Sequence, residues 1–214
     1  MKKGENRRIK IVASVIAGVV VILFLVLGVF AKMGDFANLN REIYDLTAQL
    51  INPVLTNFMK VVSFLGEWYV WLILAGILTL IAKTRTDFGW PAVLATLVAG
   101  TGSTVLKDIF RISRPHVHWL IQEGGWGFPS GHAMIATAFV ATVVYFLWRS
   151  KLAKKWKILA TILGILWVFA IGFSRIYLGV HNPTDVLGGI LAGSVVAALV
   201  VYLATVFKVT VREK

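Results

Sequence analysis

Cysteine is missing from this sequence, and charge is scarce. Only 15% of the 214 residues are Asp, Glu, Lys or Arg, against roughly 25% in a typical soluble domain. The absence of cysteine excludes disulfide bonds and thiolate chemistry. The shortage of charge argues against a soluble globular domain. Internal repeats, heptad runs and low-complexity linkers are also missing, so a single bundle is expected.

Hydrophobic residues are abundant instead, at 58% of the chain. They gather into apolar blocks of the length that a helix needs to cross a bilayer. The basic start followed by the first block predicts a retained signal anchor. We therefore predict an all-α fold, a six-span transmembrane helical bundle. The predicted spans cover residues 11–31, 68–82, 88–106, 133–148, 158–173 and 186–207.

A mixed segment, residues 32–67, separates the first two spans. In it Leu39, Ile43, Leu46 and Leu50 recur at helical spacing between polar residues, which predicts an amphipathic helix lying in the membrane interface. A plain extracellular connector is the alternative. Asn52-Pro53 has the pattern of an N-cap and first-turn proline, which predicts a further helix that could extend span two upstream.

The net charge of +12 would suggest nucleic acid in a soluble protein. Here the basic residues flank the apolar spans, and nucleic acid is not a predicted partner. Six spans place fifteen of the 22 Lys and Arg residues on the side of the two termini. The positive-inside bias then predicts a plasma-membrane protein with cytoplasmic termini. Two polar segments, residues 107–132 and 174–185, fall on the extracytoplasmic side.

Ionisable residues lie at the ends of spans three to six and require an explanation. Burying one at the membrane centre costs about 2.5–3.5 kcal/mol. Interfacial anchoring explains long basic side chains, but two histidines and an aspartate are not typical anchors. The residues concerned are Lys107, Arg114, His132, Arg175, His181 and Asp185.

These residue types fit an anion site. Ser130-Gly131 opens span four, where free N–H groups and the helix dipole favour negative charge. Lys107, Arg114 and Arg175 add three cations suited to phosphate oxygens. The sequence therefore predicts that a phosphate group binds here.

Two histidines could add chemistry to that site. Asp185 lies four residues after His181 at a predicted helix start, within reach of its ring. A carboxylate on one ring nitrogen leaves the other free to attack, and His132 could face it as a general acid. A metal site of His132, His181 and Asp185 is the rival interpretation, but three nearby cations would repel a metal ion.

The motifs Lys107-x6-Arg114-Pro115, Pro129-Ser130-Gly131-His132 and Ser174-Arg175-x5-His181-x3-Asp185 resemble, in order and spacing, the three signatures of the type 2 phosphatidic acid phosphatase superfamily. The chain is similar to its small bacterial phosphatidylglycerophosphatase B and undecaprenyl-diphosphate phosphatase members. The resemblance implies one membrane phosphatase domain over residues 1–214, with its motifs in a core of about 88–207.

The resemblance also implies roles. His181 would be the nucleophile that forms a phosphohistidine, Asp185 would orient it, and His132 would be the general acid. The phosphate would be held by Lys107, Arg114, Ser130, Gly131 and Arg175. Pro115, Pro129 and Ser174 belong to the motifs without a clear role. No metal or cofactor is expected.

A lipid phosphate in the bilayer is the substrate that six spans suggest. Phosphatidylglycerol phosphate, phosphatidic acid and undecaprenyl diphosphate all fit, and the sequence indicates no protein partner. We place selectivity in the loop 117–128 and in the amphipathic segment, which could cover a lateral opening. A phosphotransferase and an idle lipid or anion transporter remain alternatives. Vanadium haloperoxidases share the motifs but are soluble, unlike this chain.

Overall fold

The computed structural model describes residues 2–81 and 88–207, with side chains from residue 14 onward. The described residues form eight α-helices. They are α1 (Lys2–Met33), α2 (Ala37–Ala48), α3 (Pro53–Phe64), α4 (Trp68–Leu80), α5 (Trp90–Phe110), α6 (Gly131–Arg149), α7 (Lys154–Tyr177) and α8 (Pro183–Val206).

Five of these helices are long and apolar enough to cross a membrane by themselves, namely α1, from Ser14 onward, and α5 to α8. Helices α3 and α4 are shorter and meet at a bend of 53°. Taken together they form a sixth, broken span. The predicted all-α membrane bundle is thus confirmed, and its count of six holds when this bent pair is one span.

Helices α6 and α8 form the centre of the bundle, packed against each other along their length. Glycines allow the close approach: a Cβ on Gly189 would lie 2.5 Å from the Ser130 carbonyl oxygen, and one on Gly193 would lie 2.4 Å from that of Met134. Small residues at helix interfaces are characteristic of membrane bundles. This contact fixes the start of α6 beside the start of α8.

Large apolar side chains cover the outside of the bundle. In α1, Leu23 and Leu25 are half exposed, and in α7 Leu163 and Leu166 are more than half exposed. A soluble monomer rarely exposes such continuous apolar surface. These faces are suited to lipid, as expected of a multi-pass membrane protein.

Helix starts follow the sequence more closely than helix ends. Asn52 caps α3, its side-chain oxygen accepting from the Leu55 N–H at 3.0 Å, and α8 starts at Pro183 as predicted. The helices around the polar segments, however, continue further than predicted. Lys107 lies in the last turn of α5 and Arg175 in the last turn of α7. Three predicted features lie outside the described residues: the end of the second span at residue 82, the basic residues that follow it, and the basic C-terminal tail.

The amphipathic segment contains two helices, α2 and the first half of the broken span. Helix α2 packs over α7 and α8. Ile43 packs inward against Ala133, Ile176 and Val186. Leu39, Leu46 and Leu50 are exposed, so the predicted apolar stripe divides between the protein and its surroundings.

Candidate active site

The predicted site residues gather at one end of the bundle. The C-terminal ends of α5 and α7 meet the starts of α6 and α8 there, closed over by the loop 111–130. Polar side chains can end an apolar helix at low cost when neighbouring helix ends supply partners. The two polar segments of the sequence therefore form a single site.

His181 and Asp185 form a buried pair, 3.3 Å apart between Nδ1 and Oδ2. The same Oδ2 accepts a hydrogen bond from the Asn182 backbone N–H at 2.8 Å. Asp185 thus caps the start of α8 and holds the imidazole at once. Because α8 begins at Pro183 with Asn182 as its N-cap, His181 lies directly before the helix and Asp185 lies in its first turn, where the two side chains can meet.

The other ring nitrogen of His181, Nε2, lies 3.2 Å from Nη1 of Arg114. A guanidinium group can only donate, so Nε2 must be the accepting nitrogen and Nδ1 must carry the proton that faces Asp185. This assigns the tautomer from the neighbours. The lone pair of Nε2 is directed toward the cationic side of the site.

Arg114 is fixed by backbone oxygens. Nε and Nη2 donate to the Gly124 carbonyl at 3.1 and 2.8 Å, and Nη1 donates to the Val180 carbonyl at 2.8 Å. Lys107 donates to the carbonyl oxygens of Trp126 and Gly127. The loop 111–130 therefore folds around two of the three predicted cations.

Positive surroundings change the acid–base properties of His181. Burial, followed by the charges of Arg175, Lys107, Arg114 and His132, lowers the pKa of His181 well below its usual value of 6.5. Each cause disfavours the imidazolium form. The histidine is therefore neutral, and able to act as a nucleophile, at and below neutral pH.

Glu123 is a site residue that the sequence did not identify. Its Oε1 pairs with Nη2 of Arg175, and its Oε2 lies 3.4 Å from Nη2 of Arg114. The sequence feature that could have identified Glu123 is its position as an isolated acid beside two glycines, in the loop 117–128 to which we assigned substrate selectivity. Its carboxylate bridges two guanidinium groups that would suit a phosphate.

Helix α6 begins directly against these groups. The Ser130 N–H donates to the Asp185 carbonyl at 2.9 Å, and a Cβ on Gly131 would lie 3.2 Å from Ser103 Oγ. Gly131 therefore lets the helix start approach α5 closely. Ser130, Gly131 and the N–H groups of the first turn thus lie at the start of α6, directly after the loop that holds Lys107 and Arg114.

His132, in the first turn of α6, pairs with a second unforeseen residue. Its Nε2 lies 3.3 Å from Oε1 of Glu67, at ion-pair distance but without a hydrogen bond. Glu67 caps α4 at the bend after α3. Nothing in the spacing of the motifs points to a residue 65 positions earlier, because the contact depends on how the broken span packs.

Unpartnered polar atoms concentrate at this site. Among the buried side-chain nitrogen and oxygen atoms without a hydrogen bond in the described chain, four belong to predicted site residues: Ser130 Oγ, His132 Nε2, Arg175 Nε and Asp185 Oδ1. Buried polar atoms normally have partners. Their grouping indicates a site arranged for a polar ligand.

The remaining motif residues have structural contacts. Ser174 Oγ donates to the Ile171 carbonyl at 2.7 Å, and the Pro115 carbonyl accepts from Trp119 Nε1 at 2.9 Å. Pro129 precedes the Ser130 N-cap of α6. Among the hydrogen bonds of the described residues, none joins these three to the His181 side chain.

The two histidines pair with different carboxylates, Glu67 and Asp185. Within residues 14–81 and 88–207, no group of three or more His, Cys, Asp or Glu residues is arranged to hold a metal ion. What the arrangement offers chemically is a neutral imidazole nucleophile, a second imidazole and three cations around one polar space.

Comparison with known proteins gives a consistent result. The family model described as the PAP2 superfamily matches residues 88–208. The chain is 40% identical over 116 residues to phosphatidylglycerophosphatase B of Bacillus subtilis, covering 52% of this chain and 57% of that protein, or little more than half its length. It is 29% identical over 194 residues to an undecaprenyl-diphosphatase of Sulfolobus acidocaldarius, covering 86% and 89%.

Among solved structures, the chain is similar to a transmembrane PAP2-type phosphatidylglycerolphosphate phosphatase from Bacillus subtilis. The TM-score is 0.76 at 28% identity, and the match covers 92% of this chain and 98% of that one. The likeness therefore extends beyond the motif-bearing half to α1 and the broken span.

Proposed function

The chain belongs to the PAP2 superfamily, and on that premise we propose that it is a lipid phosphate phosphatase acting through a phosphohistidine without a metal ion. The observation that carries the proposal is the position of the His181 ring between Asp185 and Arg114, from which its tautomer is assigned. Asp185 holds Nδ1, while Nε2 directs its lone pair toward the cations. A pure binding site has no need of an oriented imidazole nucleophile.

In the first step, Nε2 of His181 attacks phosphorus and the bond from phosphorus to the leaving oxygen breaks. That oxygen takes a proton from His132 and departs, leaving the phosphoryl group on His181. Charge on the other phosphate oxygens is stabilised by donors already in place. The proposed donors are Lys107, Arg114, Ser130, the Gly131 N–H and Arg175.

Substrate binding requires local exchange of partners. Arg114 gives up its contact with Nε2, and the phosphate replaces the Glu123 carboxylate between Arg114 and Arg175. The guanidinium groups keep an anionic partner throughout, which limits the cost of desolvating the site.

In the second step, water attacks the phosphohistidine. His132, now neutral, accepts a proton from that water as the P–N bond breaks. Inorganic phosphate leaves, and both histidines return to their starting forms. The cycle is balanced without an added cofactor.

The proposed substrate is a membrane lipid with a terminal phosphate, such as phosphatidylglycerol phosphate, phosphatidic acid or undecaprenyl diphosphate. Relatives named for the first and the last of these support a lipid. The proposed location is the plasma membrane, with cytoplasmic termini and the site on the extracytoplasmic face, since the basic residues favour that orientation. We propose one domain for residues 1–214, because α1 packs on α8.

The test is phosphate release by the purified protein in mixed micelles containing EDTA, with each of the three lipids. We expect release that survives EDTA and is lost in His181→Ala, while His132→Ala costs on the order of 10²–10⁴ in rate. His118→Ala, at an exposed histidine of the neighbouring loop, is the matched control. Absence of release from every lipid by the intact protein would favour a binding or transport role instead.

A further inference from the structure

A cavity of about 400 Å³ lies between the start of α4, the middle of α5 and the first turns of α6. It reaches the candidate active site at Gly131 and His132. Its lining includes Gly66, Glu67, Trp68, Leu97, Gly131 and His132. Leu97 and Trp68 are about half exposed, so the cavity opens on the apolar outside of the bundle.

The in-line geometry of phosphoryl transfer assigns this cavity to the leaving group of the substrate. In phosphoryl transfer the attacking and leaving atoms lie roughly in line across phosphorus. His181, the proposed nucleophile, is not among the cavity residues, whereas His132, the proposed acid, is. The leaving oxygen must therefore lie where His132 faces the cavity.

The charge of this side is opposite to that of the phosphate side. Glu67 is the one charged residue among those lining the cavity apart from His132, and its Oε1 lies 3.3 Å from Nε2 of His132. The cations point elsewhere: Lys107 to the loop carbonyls and Arg175 to Ser63 and Glu123. Among the described residues that line the cavity, a second phosphate in this position would meet a carboxylate and no Lys or Arg.

Glu67 is held in this place by the bend between α3 and α4. A Cβ on Gly66 would come within 2.9 Å of both His132 Cδ2 and Ile171 Cγ2. The backbone of the bend thus packs closely against the His132 ring. Glu67 follows at the N-cap position of α4, and its carboxylate lies beside His132.

We propose that Glu67 is a specificity-determining residue that favours lipid phosphomonoesters over lipid diphosphates. This inference rests on the proposed function. A monoester releases an uncharged alcohol oxygen beside Glu67 once His132 has supplied the proton. A diphosphate releases a lipid monophosphate, so negative charge grows next to the carboxylate as the bond breaks. The side chain of Glu67 is 31% exposed, so water weakens this repulsion between like charges without abolishing it.

The experiment compares kcat/KM for phosphatidic acid and for undecaprenyl diphosphate in the same mixed micelles. Wild type is expected to prefer phosphatidic acid. Glu67→Gln keeps the size of the side chain and removes its charge, and it is expected to raise the diphosphate-to-monoester ratio about tenfold, equivalent to about 1.4 kcal/mol. Glu67→Asp keeps the charge and the ratio. Glu42→Gln, on the exposed surface of α2, is the matched control and leaves both rates unchanged.

A ratio that stays within about twofold of wild type in Glu67→Gln would overturn the inference, even if both rates fell together. Glu67 would then only position His132, whose loss affects both substrates alike. Wild-type protein that hydrolyses the diphosphate as well as the monoester would overturn it too. Absence of release from both lipids would overturn the proposed function itself, so the two failures are distinguishable.

Discussion

At the scale of single residues, the site depends on which partner each polar group has. His181 is bound on one nitrogen by Asp185 and faces Arg114 with the other. Arg114 in turn is fixed by the carbonyls of Gly124 and Val180. The imidazole is thus oriented before any substrate arrives, and if His181 is the nucleophile, as proposed, orientation of this kind contributes several kcal/mol to catalysis.

The acid limb of the pH profile follows from these charges. The pKa of His181 is held well below 6.5, first by burial and then by Arg175, Lys107 and Arg114. If His181 attacks in its neutral form, as proposed, kcat/KM should stay high as pH falls through 6.5. Lys107→Gln removes one cation, so the pKa of His181 rises and the acid limb moves to higher pH. The measurement is kcat/KM against pH, which reports the free enzyme.

Lys60→Gln is the matched control, because Lys60 is an exposed lysine on α3. It should leave the limb in place. Lys107→Gln also lowers the rate at every pH, by about 10²–10³ if it removes one donor to the transition state. A lower rate with an unshifted limb would mean that Lys107 binds phosphate without affecting His181.

The motif residues that the structure gathers at this end of the bundle could be named from the sequence, because their order and spacing resemble three family motifs that lie at or near helix ends. Glu67 and Glu123 could not be predicted. Glu123 reaches Arg175 across 52 positions and Glu67 reaches His132 across 65, through packing that no local pattern encodes. Both lie on connections, and the position of a connection depends on the helices that it joins.

At the scale of elements, the apolar blocks gave the number and order of the long helices but misplaced their ends. Lys107, Arg175 and Asp185 were taken to lie beyond the spans, yet each lies within a terminal turn. A span that is predicted from hydropathy ends where a charged side chain occurs. The helix continues past it because the charge finds its partners on neighbouring helix ends.

Helix α2 carries a prediction that remains open. Its tether to α8 is polar: Asn40 Nδ2 donates to Thr184 Oγ1 at 3.1 Å, and the Thr184 N–H donates to Asn40 Oδ1 at 3.4 Å. Leu39 and Leu46 point outward. If α2 lies in the interface and guides lipid, Leu39→Ser with Leu46→Ser should lower hydrolysis of phosphatidic acid micelles several-fold and spare a soluble phosphate ester.

Ile43→Ser provides the contrast, since Ile43 packs against Ala133, Ile176 and Val186 beneath the site. It should lower both activities together with thermal stability, the latter by less than the roughly 2–5 kcal/mol typical of truncating a fully buried Ile, because Ile43 is only partly buried. Equal loss of lipid and soluble activity in the Leu39 and Leu46 variant would remove the case for a lipid-guiding helix.

At the scale of the whole molecule, the fold separates an apolar outer surface from a polar site at one end. Apolar side chains of α1 and α7 face outward, and the polar groups are collected at one end, where the lipid phosphate would lie in the headgroup layer. The bend between α3 and α4 places Gly66 and Glu67 beside His132 at that same end. The broken span therefore contributes residues both to the membrane-facing surface and to the candidate active site.

The orientation of the bundle can be tested directly because the chain has no cysteine, so any introduced thiol is unique. His116→Cys places a thiol in the exposed loop at the site end, and Lys151→Cys places one between α6 and α7 at the opposite end. The reagent is a membrane-impermeant maleimide, applied to intact cells that lack any outer barrier. If the site lies outside the cytoplasm, it should label His116→Cys in these cells and Lys151→Cys only after lysis. Labelling of Lys151→Cys alone before lysis would place the site in the cytoplasm and reverse the topology that the positive-inside bias predicts.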